Sequence, residues 1–148
     1  MALAAYRRKR DFSKTKEPKD NARLLRSRAP IFVVHKHHAR SLHYDFRLEI
    51  EGALASWAVP KGPSMRPVDK RLAVHVEDHP LAYAKFHGVI PEGEYGAGKV
   101  EIWDTGTYRL IDGSVKKGKI IVELHGKKLN GGFALVQMKG GKNWLLFK

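Results

Sequence analysis

Apolar and polar residues alternate strictly along the stretch His43-Tyr-Asp-Phe-Arg-Leu-Glu-Ile50. Successive side chains of a β-strand point to opposite faces. One face of this stretch therefore carries Tyr44, Phe46, Leu48 and Ile50, and the other carries His43, Asp45, Arg47 and Glu49. The pattern predicts a strand that packs its apolar face on a core and presents histidine, aspartate and arginine on the opposite face.

Short runs of β-branched and aromatic residues continue on both sides of this strand, separated by glycine and proline. They predict strands at Ile31–His35, His43–Ile50, Ala55–Val59, Leu72–Glu77, Lys99–Trp103, Thr107–Ile111, Lys119–Leu124, Gly132–Met138 and Trp144–Phe147. Turns are expected at Glu51-Gly52, Asp112-Gly113, Asn130-Gly131 and Gly140-Gly141. So many strands with few helices predict a mainly β protein, a single-domain antiparallel β-barrel of about eight strands.

The chain has 148 residues and a net charge of +13, from 28 Lys and Arg against 15 Asp and Glu. We expect a basic N-terminal arm over residues 1–30 and a barrel domain over residues 31–148. A charge balance this basic favours polyanions as partners, nucleic acid first and an anionic membrane second, over the alternatives of a solvated surface or a targeting tail. The chain has no cysteine, which excludes disulfides, thiolate metal sites and a cysteine nucleophile. The absence of cysteine suits a reducing compartment, so we expect a cytoplasmic protein. No apolar run approaches the roughly 18 residues of a membrane span, and we expect no membrane partner.

Half of the eight histidines fall within nine residues, at His35, His37, His38 and His43. His43 and Asp45 lie side by side on one strand face, and His37 adds a second imidazole. Two nitrogens and one oxygen leave coordination positions open, as a catalytic metal site requires. The sequence therefore predicts a metal centre at His37, His43 and Asp45.

A second strand, residues 71–79, shows the same alternation. Its apolar set is Leu72, Val74 and Val76, and the opposite set is Arg71, Ala73, His75, Glu77 and His79. If the two polar faces converge, the cleft gathers Arg47, Arg71, Lys61 and His79 near the metal. Guanidinium groups match phosphate oxygens bidentately, so this set favours a phosphoryl substrate. Two ordinary solvated strand faces are one alternative, and a cupin-like Fe(II) oxygenase is another, although the oxygenase leaves the basic residues unexplained.

The glycine-rich stretch Pro91-Glu-Gly-Glu-Tyr-Gly-Ala-Gly98 invites comparison with a phosphate-binding loop. It lacks the Gly-Lys-Ser/Thr ending of such loops, and a strand rather than a helix is expected after it. We interpret it as a structural turn.

Four motifs together resemble the 3′-phosphoesterase domain of bacterial DNA ligase D and its free-standing bacterial and archaeal relatives. They are His37-His-Ala-Arg-Ser-Leu-His-Tyr-Asp-Phe-Arg47, Trp57-Ala-Val-Pro-Lys-Gly-Pro63, Val76-Glu-Asp-His-Pro80 and Ile90-Pro-Glu-Gly-Glu-Tyr-Gly-Ala-Gly98. The likeness spans nearly the whole chain. It implies a β-barrel enzyme of non-homologous end joining that uses Mn²⁺, with Co²⁺ or Zn²⁺ as alternatives. Such an enzyme removes a 3′-terminal ribonucleoside from a primer and then the remaining 3′-phosphate, leaving a 3′-hydroxyl.

The resemblance also implies roles for single residues. By motif position, His37, His43 and Asp45 are the metal ligands, and the phosphate-contacting and catalytic groups are Arg47, Lys61, Arg71 and His79. The implied substrate contacts are Glu77, Tyr83 and the arm residues Arg10, Asp11 and Glu17. His35 stands where the family pattern leads us to expect glutamine, so we include it among the substrate contacts and expect it to alter the diesterase step.

The implied partners are DNA or RNA–DNA primer-template 3′ ends, together with a DNA ligase, an end-joining polymerase and Ku, and we expect a monomer. The mixed charges of the arm, with Phe12 as an apolar anchor, predict that the arm packs over the cleft. A basic tail without a fixed position is the alternative for the arm. A barrel that binds nucleic acid without catalysis is the alternative for the whole protein, and the intact set of histidine, aspartate and arginine argues against it.

Overall fold

The computed structural model describes residues 3–9 and 28–148. This part contains one short helix, α1 (Ala4–Arg8), a 3-10 helix (Leu81–Lys85) and nine strands. The strands are β1 (Ile31–His38), β2 (Leu42–Ile50), β3 (Ala53–Val59), β4 (Arg71–Pro80), β5 (Gly88–Ile90), β6 (Gly98–Ser114), β7 (Lys119–His125), β8 (Asn130–Gln137) and β9 (Asn143–Phe147). No helix in these two segments has the length and apolar character needed to cross a membrane.

Eight of the strands close into an antiparallel barrel in the order β1-β2-β3-β4-β9-β8-β7-β6, and β6 pairs back to β1. The extra strand β5 pairs with β6 outside this ring. The prediction of a mainly β antiparallel barrel of about eight strands is confirmed. The predicted strands 99–103 and 107–111 are parts of one continuous strand, β6, which is long enough to pair with both β1 and β7.

Two apolar clusters lie on opposite sides of the barrel wall. The larger one fills the barrel and includes Phe46, Leu48, Trp57 and Trp144. The smaller one contains Tyr6, Val33, Leu54, Leu81, Tyr83 and Ala84. The alternation predicted for β2 is confirmed, because its apolar residues enter the larger cluster while Asp45 and Arg47 line a cleft on the other face.

The turn predictions were partly right. Glu51 and Gly52 form a two-residue hairpin, and both have a positive φ, 51° and 81°, as a type I′ turn requires. Gly140 and Gly141 also lie in a turn.

The predictions of turns at Asp112-Gly113 and Asn130-Gly131 were wrong, because these pairs lie inside β6 and β8. A bulge accommodates the first pair within β6. The chain reverses instead at residues 115–118 and 126–129. At the second reversal, the buried Asp104 carboxylate accepts bonds from the backbone N–H groups of Lys127, Lys128 and Leu129.

Strand β4 corrects the predicted assignment of faces. Ala73 is buried in the barrel cluster, and the His75 ring stacks on Trp57 with their centroids 5.0 Å apart, whereas Leu72 is exposed and Val76 lines the cleft. The apolar face of β4 therefore does not point to the barrel core as predicted. Ala73 and His75 pack against aromatic side chains inside the barrel, and the valines of β4 lie on the outer side of the wall.

A β-bulge explains how His79 nevertheless reaches the cleft. Ser56 pairs with Val76, but Leu54 pairs with His79, so β4 holds one residue more than β3 in this interval. An extra residue reverses the alternation beyond it. His79 therefore shares a face with Val76 instead of following His75 toward the core.

Candidate metal centre

A cleft of about 350 Å³ opens over the outer face of β1–β4. It brings together most of the residues that the sequence analysis selected. Its lining includes His37, His43, Asp45, Arg47, Glu77, His79 and Tyr83, with Tyr95 and Gly96 from the glycine-rich turn.

The three predicted metal ligands lie together at one end of this cleft. His37 and His43 face each other in the β1–β2 register, and Asp45 follows on β2. One ligand atom from each residue lies within 4.8 Å of the other two. This donor set could hold a divalent metal ion.

Hydrogen bonds already orient both imidazoles for such an ion. His37 donates its Nε2–H to the Gly96 carbonyl at 2.7 Å, which leaves Nδ1 at 3.7 Å from Asp45 Oδ2. His43 donates its Nδ1–H to the Ser41 carbonyl at 3.1 Å, which leaves Nε2 at 3.2 Å from Asp45 Oδ1. Metal-binding histidines are typically held in this way, with the second ring nitrogen bonded to a carbonyl or carboxylate. The glycine-rich turn is therefore structural, as expected, but it also supplies the carbonyl that orients His37.

The charges at the centre suit a cation. Burial alone would favour neutral Asp45, but the Arg47 guanidinium and the adjacent imidazoles of His37 and His43 hold the pKa of this carboxyl well below its usual range. The bond to Asp45 raises the pKa of His43. A metal ion binds neutral imidazole, so it would have to displace the proton that His43 carries at low pH. Metal binding at this site should therefore weaken as the pH falls.

Arg47 is almost completely buried beside the metal cluster, with 3% of its side chain exposed. Its Nε donates to His35 Nδ1 at 3.0 Å, its Nη1 to Ser56 Oγ at 2.9 Å and its Nη2 to Asp45 Oδ2 at 3.3 Å. The guanidinium carbon lies 5.0 Å from the centroid of the Tyr83 ring. The guanidinium therefore joins Asp45, a candidate metal ligand, to the neighbouring strands β1 and β3.

His35 lies behind Arg47 and does not line the cleft. It is fully buried, and its Nε2–H donates to the Phe86 carbonyl at 3.1 Å. Burial and the Arg47 charge lower the pKa of His35 from 6.5 to about 3. His35 is therefore neutral at ordinary pH.

His79 lies between two aromatic rings. Its centroid is 4.8 Å from that of Tyr6 and 4.7 Å from that of Tyr83, and its Nδ1–H donates to the Glu77 carbonyl at 3.2 Å. Tyr6 belongs to α1, so residues 3–9 lie against the cleft, and Lys9 of this segment forms an ion pair with Glu77 at 3.3 Å.

Two of the predicted basic residues are placed elsewhere. Lys61 and Arg71 line a separate cavity of about 440 Å³, where Arg71 Nη2 lies 3.4 Å from Asp69 Oδ2. The two cavities have no lining residue in common. Arg10, Asp11, Glu17 and Phe12 lie outside the described residues, so their roles stay predictions.

Sequence reasoning missed Ser56, Tyr6 and Tyr95. Ser56 falls in an apolar strand pattern, where a single small polar residue carries no functional signal. Tyr6 is separated from His79 by about half of the chain, and no periodicity connects them. Tyr95 lies in the glycine-rich stretch, and its aromatic ring among glycines is the one signal in the sequence.

Comparison with known proteins finds a family model and several relatives that match this chain. Residues 35–137 match the model of the DNA ligase D 3′-phosphoesterase domain. The chain is 50% identical over 145 residues to the multifunctional non-homologous end joining DNA repair protein LigD of Mycobacterium tuberculosis, covering 97% of this chain and 19% of that protein. It is 49% identical over 158 residues to the multifunctional non-homologous end joining protein LigD of Pseudomonas aeruginosa, covering 99% of this chain and 18% of that protein. The chain thus spans about a fifth of the length of these relatives.

Proposed function

The chain belongs to the DNA ligase D 3′-phosphoesterase domain family, and on this premise we propose that it is a metal-dependent phosphoesterase that heals DNA 3′ ends. It removes a 3′-terminal ribonucleoside and then the 3′-phosphate, which exposes a 3′-hydroxyl for end joining. The observation that carries this proposal is the cluster of His37, His43 and Asp45 with the buried Arg47 bonded to one of its ligands. A cation site directly beside a guanidinium suits a phosphoryl group, which needs its charge neutralised from several sides.

The metal centre would be held by His37 Nδ1, His43 Nε2 and an Asp45 oxygen. Nitrogen and oxygen donors of this kind suit Mn²⁺, and they also accept Co²⁺ or Zn²⁺. A bound divalent ion supplies Lewis-acid polarisation of a phosphate oxygen and lowers the pKa of a coordinated water.

The other residues of the cleft act on the phosphoryl group and the leaving oxygen. Arg47 holds phosphate oxygens as negative charge builds on them. His79, when charged as an imidazolium, gives one ring proton to the leaving oxygen and is left as neutral imidazole, whose Nδ1–H stays bonded to the Glu77 carbonyl. Tyr83 and Glu77 support this histidine and the substrate, and Lys61 and Arg71 in the separate cavity contribute charge toward the nucleic acid strand.

The partners follow from the same family premise. We propose DNA or RNA–DNA primer-template 3′ ends as substrates, a DNA ligase, an end-joining polymerase and Ku as partner proteins, and cytoplasmic action as a monomer. Arg10, Asp11 and Glu17 would contact the primer end from the arm, whose first segment already packs against His79 through Tyr6.

The test is phosphate release from a 3′-phosphate DNA primer and nucleoside release from a primer with one 3′-terminal ribonucleotide, each with Mn²⁺. His37→Ala should abolish both activities and weaken Mn²⁺ binding, measured by calorimetry, by at least about 100-fold, since even residues that only orient a ligand cost 10–100-fold. His38→Ala is the matched control, because the neighbouring His38 is exposed and pairs with Glu101. If the protein bound the primer but released neither phosphate nor nucleoside, the proposed enzymatic activity would be refuted. The result would favour a barrel that binds nucleic acid without catalysis.

A further inference from the structure

The buried guanidinium of Arg47 has more fixed contacts than a charge near a metal requires. A guanidinium has five N–H donors. Three of them are committed to His35 Nδ1, Ser56 Oγ and Asp45 Oδ2. The two that remain are one on each terminal nitrogen, and Arg47 lines the cleft.

The two neutral acceptors are themselves held by the backbone. Ser56 Oγ donates to the Leu54 carbonyl at 3.0 Å, which turns its lone pairs toward Arg47. His35 donates Nε2–H to the Phe86 carbonyl, which fixes Nδ1 as an acceptor. Both residues are fully buried, so neither can rotate away from the guanidinium without losing a second bond.

These two acceptors orient Arg47 without neutralising it. A carboxylate in either place would have cancelled the positive charge of the guanidinium, whereas a hydroxyl and a neutral imidazole leave it available. The carboxylate that Arg47 does contact, Asp45, belongs to the metal cluster. The arrangement keeps a positive charge in one orientation next to the metal centre.

We propose that Ser56 and His35 are positioning residues, which lock Arg47 in the rotation that presents its two remaining N–H groups to a phosphoryl group at the metal centre. This inference rests on the proposed function, because it takes a phosphoryl group as the ligand of the cleft. Ser56 comes from β3 and His35 from β1, so the strands on both sides of β2 hold an arginine that β2 carries. The barrel wall itself thereby sets the position of the phosphate-binding group.

The first experiment compares Ser56→Ala with wild type. The substitution removes the Nη1 acceptor and almost no volume. We expect inorganic phosphate to bind the Mn²⁺-loaded protein about 10–100-fold more weakly, the scale of one lost hydrogen bond to a charged group, and kcat/KM for a 3′-phosphate primer to fall similarly. Mn²⁺ affinity should stay within about twofold, because Ser56 touches no metal ligand. The control is Ser114→Ala, which removes a hydroxyl at the end of β6, where it accepts from the Lys117 N–H.

A double-mutant cycle separates positioning from a merely structural role. In an Arg47→Ala background, Ser56→Ala should cause no further loss of phosphate affinity, because it would act only through Arg47. An equal loss in both backgrounds would overturn the proposal.

The pair His35→Gln and His35→Leu provides an independent route if Ser56→Ala folds poorly. Glutamine can still accept from Arg47 Nε, and leucine cannot. The Arg47 Nε–H resonance is assigned in a ¹⁵N-correlated spectrum by its loss in Arg47→Ala. It should persist in His35→Gln and disappear or exchange rapidly in His35→Leu. Phosphate affinity should likewise be kept in His35→Gln and reduced in His35→Leu. Phosphate affinity unchanged in His35→Leu would overturn the proposal. Phosphate binding and the resonance need no turnover, so a wild-type protein that releases nothing from either primer would refute the proposed function while this inference is still tested.

Discussion

Acid should destabilise this protein through His35. In the folded protein the pKa of His35 is lowered to about 3, first by burial and then by the Arg47 charge, whereas an unfolded histidine titrates near 6.5. Between these two values the unfolded chain binds a proton that the folded protein does not. The free energy of unfolding must therefore fall as the pH falls below about 6.5, and the loss from this residue is complete near pH 3.

The size of the effect follows from the two pKa values. Between pH 7 and pH 5 the unfolded imidazole goes from mostly neutral to almost fully protonated, while folded His35 stays neutral. At about 1.4 kcal/mol per pH unit, this window of roughly 1.5 units below 6.5 lowers the free energy of unfolding by about 2 kcal/mol.

Urea unfolding at pH 7 and pH 5, followed by tryptophan fluorescence, measures this loss. The comparison is with His35→Gln, which has no titrating group at this position but keeps an acceptor for Arg47. Other groups with shifted pKa values, such as His43 and Asp45, are present in both proteins, so the difference between the two pH dependences isolates His35. The loss between pH 7 and pH 5 should be about 2 kcal/mol larger in wild type. Equal losses in the two proteins would show that His35 is not held neutral by its surroundings.

Two further predictions concern packing. A Cβ at Gly126 would lie 2.5 Å from Asp104 Oδ2, so Gly126→Ala should destabilise the barrel by about 1–3 kcal/mol. A Cβ at Gly132 meets no atom within 4 Å, so Gly132→Ala should cost about 1 kcal/mol or less. Thermal unfolding measures both, and equal effects would contradict the close approach at Gly126. Tyr6→Ala removes a buried ring beside His79. It should lower turnover on a 3′-phosphate primer while the circular dichroism of the barrel is retained. An unchanged kcat would mean that α1 does not position His79 for catalysis.

The parts of the site that could be predicted from sequence are those that follow from period-two alternation on one strand. His43, Asp45 and Arg47 share a face of β2 because no irregularity interrupts that strand. His79 could not be placed by the same rule, since the bulge in β4 reverses the alternation between Val76 and His79. A bulge depends on pairing with β3, which alternation within one strand does not encode.

Turns and buried polar contacts were predictable only where they are local. Glu51-Gly52 forms a hairpin because Gly52 takes a positive φ without strain, and this local signal is visible in the sequence although Glu51 also has to adopt a positive φ. The reversal before Asn130 depends instead on the carboxylate of Asp104, which is distant in sequence. Ser56 could not be predicted for the same reason, because its hydroxyl accepts a hydrogen bond from Arg47 on another strand.

The three candidate metal ligands lie close together along the chain as well as in space, and this affects how the protein folds. His37, His43 and Asp45 fall within nine residues, on two strands joined by residues 39–41. Bringing them together closes only a short loop, so this hairpin has a small entropic barrier and can form before the barrel joins β1 to β6. For the same reason the unfolded chain remains a weak chelator. A metal ion should therefore accelerate formation of the β1–β2 hairpin. It should stabilise the finished barrel by less than its full binding free energy, because part of that energy is already gained in the unfolded chain.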